Sequence, residues 1–92
     1  MSQKSKAEGI ISEYNKVSGR RIKALPREKR ITEAIETFDV EDFRNTFLWA
    51  KNDPWCKENN ILKERVGWLC SYDIVAQHSD YSEPTLEGDS WV

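Results

Sequence analysis

An all-α fold, a small single-domain bundle of four to five short helices, is what these 92 residues predict. Apolar residues recur at helical spacing in successive stretches, and capping and breaking residues punctuate those stretches. No stretch alternates as a half-buried strand does; "RRIKAL" is the only short candidate. Four Trp, three Phe and three Tyr supply enough aromatic surface for a core, so the chain is not a disordered segment. Its length allows one modest core.

The first element lies in "AEGIISEYNKVSG", where Ile10, Ile11, Tyr14 and Val17 share a helix face. Gly19 suits the left-handed residue that follows a helix, so helix 1 is expected over 8–18. Pro26 is placed to open helix 2 in its first turn. Ile31, Ala34, Ile35 and Phe38 then form its apolar stripe, with Glu33 and Glu36 on the wet side. Asp39 can cap helix 3, and Glu41 and Asp42 place negative charge at the favourable end of its dipole. Val40, Phe43, Phe47 and Ala50 share one face, and Asp53-Pro54 ends the helix after Lys51. "WCKENN" reads as a loop. A helix follows in "ILKERVGWLC", with Leu62, Val66 and Leu69 inward and Gly67 allowing close packing. Ser71 is a candidate cap for a last short helix, "YDIVAQH". The domain is expected over 1–81, with 82–92 as a mobile acidic tail.

Charge divides the chain. Residues 1–30 hold nine Lys/Arg against three Asp/Glu, and residues 31–92 hold five against thirteen. The cations concentrate in "RRIKALPREKR", residues 20–30. With helix 2 opening near Pro26, Arg27 and Arg30 lie one turn apart, and Arg20, Arg21 and Lys23 approach from the loop. Guanidinium forks beside a helix N-terminus can hold phosphates. Trp49 and Trp55 stand off the clear apolar stripes and are the candidate platforms for stacked bases. The other reading is a solvated face paired internally with acids such as Glu33 and Glu36. Both readings stay open here.

Catalytic and metal motifs are missing. No phosphate loop, G-x-S-x-G elbow or HExxH occurs. Cys56 and Cys70 lie fourteen residues apart without a close CxxC pair, which argues for structural thiols and no metal. Asp39, Glu41 and Asp42 are explained by helix capping. A thiol enzyme using Cys70 and His78 is the remaining catalytic alternative, and the expectation is a non-enzyme without cofactor. No apolar run reaches the roughly 20 residues of a membrane span. The expected location is the cytosol.

The ordered set of "IISEYNKVSGRR", a basic helix, "FDVEDFRNTFLWAKNDPWCKENN" and "VGWLCSYDIVAQHSDY" resembles the C-terminal module of phage and mobile-element replication proteins, the replisome-organiser or helicase-loader-like group. The likeness covers residues 8–81. Members usually carry a winged-helix DNA-binding domain ahead of this module, which these 92 residues do not include. The resemblance implies a contact with the replicative helicase, its loader or single-stranded DNA, in the host cytosol if the chain is phage-encoded. The alternative is a small phage-encoded inhibitor that binds another host protein. The residues expected to carry the contact are Arg20, Arg21, Lys23, Arg27 and Arg30, with Trp49 or Trp55.

Overall fold

Two helices crossing through aromatic side chains organise the computed structural model, which describes residues 3–82. The first, α1 (Gln3–Ser18), starts five residues before the expected position 8, in a stretch where Gln, Lys and Ala favour helix. It ends as expected at Gly19, whose φ of 78° lies in the left-handed region. α3 (Val40–Asn52) opens with a capping box, Asp42 Oδ2 accepting the Asp39 backbone N–H at 3.0 Å.

α1 and α3 make the most extensive contact in the structure. Ile10 and Tyr14 of α1 meet Phe43 and Phe47 of α3, all fully buried, with Tyr14 edge-on to Phe47 at 5.3 Å between ring centres. Burial of each such large side chain stabilises the fold by about 1.5–3 kcal/mol. The close approach needs Gly9, since a Cβ there would sit 3.1 Å from Val40 Cγ2.

α2 (Lys29–Thr37) begins three residues later than Pro26 suggests. Pro26 and Arg27 belong to an irregular connection over residues 19–28, and Glu28 (φ −121°, ψ 148°) is extended at the N-cap. Ile31 and Ala34 then bury against the core, with Ile35 and Phe38 packed beside them.

The second half of the chain is more segmented than its apolar spacing predicts. "WCKENN" is largely helical: α4 (Pro54–Glu58) starts on Asp53, whose carboxylate accepts the Cys56 N–H at 3.1 Å, with Pro54 at its first position. The stretch expected as one helix is two, α5 (Ile61–Glu64) and α6 (Val66–Leu69), broken at Arg65 (φ −123°, ψ 46°). Asn60 enters α5 in the left-handed conformation, which asparagine tolerates. α7 (Tyr72–His78) follows Ser71 as expected, although the Ser71 hydroxyl turns back to the Trp68 carbonyl at 2.6 Å. The fold is all-α, with seven helical segments and no strand among the described residues. None of these helices is long and apolar enough to cross a membrane. The expected acidic tail lies outside the described residues, apart from Ser82.

Candidate interaction surfaces

The basic connection between α1 and α2 has no regular secondary structure. Ile22 and Leu25 turn partly inward, while Arg21, Lys23 and Arg27 stay exposed. Its backbone is held by a side chain: the Asn15 amide accepts the Ile22 N–H at 3.0 Å and donates to the Ile22 carbonyl at 3.1 Å. One amide thereby satisfies both backbone groups of Ile22. At the far end of the connection, Gly67 of α6 leaves room for Pro26 and Glu28, whose atoms would lie 3.4 and 3.3 Å from a Cβ there.

Five cations were candidates, and they fall into two groups. Arg20 is committed to the fold. Its Nη1 donates to the Lys63 backbone carbonyl and reaches the Tyr14 hydroxyl at 3.4 Å. That hydroxyl in turn donates to the Leu62 carbonyl at 2.5 Å, which fixes α1 to α5. Arg30 pairs with Glu28 at 3.2 Å, a short-range exposed contact that contributes little stability. Arg21, Lys23 and Arg27 make no hydrogen bond or ion pair among the described residues. Glu33 and Glu36, the expected internal partners of the cations, form none of the described ion pairs.

These cations border an open trough along α1. One hollow of about 670 Å³ is lined by Ser12, Asn15, Lys16, Arg20, Arg21 and Lys23. A second, of about 580 Å³, includes Lys23, Leu25, Arg27 and Ile35. The two share Glu8, Ile11 and Lys23, so Lys23 stands at their junction. Lys16 and Arg20 also lie at the C-terminal end of α1, where the helix dipole favours positive charge. The cluster therefore sits beside the end of α1 and not, as expected, at the first turn of α2.

Both tryptophan candidates lie on a different surface. Trp49 is half-buried, its ring stacked on His78 at 3.6 Å and tilted against Trp68 at 6.2 Å. Trp55 is 54% exposed and meets the Trp68 ring edge-on at 6.1 Å. Trp55, Trp68, Asn59, Ile61 and Arg65 line a cleft that shares no residue with the basic trough. Trp68 packs against the core while remaining partly open to this cleft.

Titration of the remaining candidates follows from their burial. Cys70 is pushed up to about 12 by burial. Cys56 is also raised to about 12, by burial first and then by the adjacent Asp53 carboxylate. Both thiols are thus protonated near neutral pH, and the thiolate is the reactive form. Burial holds His78 below its ordinary value, with Asp53 and Asp80 acting in the opposite direction. Among the described residues no cluster of three or more His, Cys, Asp or Glu side chains could hold a metal ion.

Sequence reasoning missed Asn15, the residue that shapes the basic connection. The available signal was a side-chain amide one helical turn before the terminating glycine, in "YNKVSG". No protein-family profile, curated protein sequence or solved structure matches this chain.

Proposed function

We propose that this chain is a non-enzymatic helical interaction module of phage or mobile-element DNA replication, and that it meets an acidic surface of a replicative helicase or its loader. The replicative setting comes from the ordered motifs over residues 8–81. The contact is assigned to Arg21, Lys23 and Arg27, with Lys16 and Arg20 at its margin. One observation carries the reading: Arg21 and Lys23 are exposed on either side of Ile22, without an ion pair or hydrogen bond among the described residues, and the Ile22 backbone is pinned by Asn15. Cations on a held backbone lose less conformational entropy on binding than cations on a free loop.

An acidic protein face suits this arrangement better than single-stranded DNA. Base stacking needs aromatic rings beside the cations, and Trp49 is stacked against His78 while Trp55 lines the separate cleft.

The test is capture from host lysate at low and high salt, with and without nuclease. The wild-type chain is compared with Arg21→Gln/Lys23→Gln/Arg27→Gln and with a control of equal charge, Lys51→Gln/Lys57→Gln/Lys63→Gln. Salt-sensitive, nuclease-resistant capture of the replicative helicase or loader is expected for the wild type and the control only. Equal capture by all three chains would refute the assignment. Capture abolished by nuclease would move it to nucleic acid.

A further inference from the structure

The trough beside α1 combines an apolar strip with an excess of positive charge. Ala7, Ile11, Asn15 and Gly19 succeed one another along it at four-residue spacing, which puts them on one side of α1. From Ala7 to Gly19 the chain advances about 18 Å along the helix axis, the length of roughly three helical turns. The facing wall is the basic connection and α2, through Lys23, Leu25, Arg27 and Ile35.

Five cations line the two hollows, Lys16, Arg20, Arg21, Lys23 and Arg27, against one carboxylate among the described residues, Glu8. The three on the outer part of the connection, Arg21, Lys23 and Arg27, make no ion pair or hydrogen bond among the described residues. Ile11, Leu25 and Ile35 lie together in the second hollow, each half-buried. Ile11, expected on the buried stripe of α1, lies outside the core cluster and lines both hollows instead. A complementary occupant therefore presents an apolar strip flanked by carboxylates.

A helix meets that requirement better than an extended segment. It satisfies its own backbone hydrogen bonds and docks through side chains recurring on one face. An extended segment docks by pairing its backbone with free donors and acceptors, and those of Ile22 are already taken by Asn15. We propose that the trough seats an acidic amphipathic helix of roughly three turns presented by the partner. Its apolar face rests on Ile11, Leu25 and Ile35, and its carboxylates meet Arg21, Lys23 and Arg27. This seat presupposes the acidic partner proposed above and adds the form in which the carboxylates are presented.

The test titrates the full chain, labelled with nitrogen-15, with three synthetic peptides of equal length. The first carries leucine at i, i+4, i+7 and i+11 among glutamate and alanine. The second has the same composition in an order that scatters the leucines around the helix, and the third is the first with lysine for glutamate. The first peptide is expected to move the amide resonances of Ile11, Lys23 and Ile35 to saturation. The second should bind roughly tenfold more weakly, and the third should leave these resonances in place. Ile11→Gln/Ile35→Gln should reduce the affinity for the first peptide to that for the second; should this variant lose its native circular dichroism, Ile11→Gln alone gives the same reading. Equal affinity for the two acidic peptides would overturn the helical seat while leaving an acidic partner in place, which the lysate capture tests separately. Resonances unmoved by both acidic peptides would also overturn the seat. A thymidine oligonucleotide that moves the same resonances at lower concentration than the first peptide would overturn it in favour of single-stranded nucleic acid.

Discussion

Replacing Asn15 by alanine should loosen the basic connection and weaken partner binding together. Two hydrogen bonds to the Ile22 backbone disappear, at 3.0 and 3.1 Å in the native chain. Each contributes about 0.5–1.5 kcal/mol net, so their loss costs about 1–3 kcal/mol. Alanine is the better helix former by up to about 0.7 kcal/mol, which offsets part of that loss. The net effect is a destabilisation of about 1–2 kcal/mol. For a domain of this size that corresponds to a fall in Tm of roughly 4–16 °C. Asn15→Asp keeps the acceptor for the Ile22 N–H and loses only the donor, so it should fall between wild type and alanine. Chemical denaturation followed by circular dichroism measures the stability, and hydrogen exchange reports directly on the Ile22 amide. Asn15→Ala should speed exchange at Ile22 more than at the core amides of Phe43 and Phe47. Stability within about 0.5 kcal/mol of wild type, with Ile22 exchange unchanged, would refute the role given to this side chain.

Three further outcomes are expected. Because burial holds His78 below its ordinary value of 6.5, the fold favours the neutral ring and the unfolded chain takes up the proton first. Its contribution to stability is complete above about pH 7 and falls as the pH drops through 6.5 toward the lowered folded value. His78→Gln should flatten the change in denaturant midpoint between pH 7.5 and 5.5, and an unchanged slope would contradict this. Cys56 and Cys70, buried and raised to about 12, should resist a thiol reagent in the native chain and react fully in denaturant. Rapid native labelling of either thiol would show that its site opens. Gly67→Ala should stabilise the chain by about 0.5 kcal/mol, since helix propensity favours alanine. The nearest obstacle is the movable Glu28 carboxylate at 3.3 Å, and a loss of stability in denaturant unfolding would indicate that Pro26, at 3.4 Å, cannot yield.

The elements legible in the sequence were those whose signals are local. The stripe through Ile10 and Tyr14 and the Asp39 cap identify α1 and α3 because each depends on neighbours a turn away. Asp53-Pro54 shows how one local signal has two uses: it stops α3, and the same pair caps and opens α4. Pro26 was misleading because a proline compatible with a first helical turn is equally at home in an irregular connection. The break at Arg65 left no mark in the spacing of Leu62, Val66 and Leu69.

Residue type identified the basic cluster, and spacing could not sort its members. Arg20 is occupied by a carbonyl 43 residues along the chain, whereas Arg21 beside it has no partner among the described residues. The separation of Trp49 and Trp55 from the cations is likewise set by how α3, α4 and α6 pack. Such non-local facts have no signature in a short window of sequence.

The hydroxyl of Tyr14 joins α1 to Leu62 across 48 residues. Contacts so distant along the chain carry a large loop-closure cost and form only when both ends exist. During synthesis α1 and α3 can therefore pair before the turn containing Leu62 and Lys63 leaves the ribosome. Arg20 acquires its anchorage only when that turn docks, so the arrangement of positive charge matures after the helical scaffold that supports it.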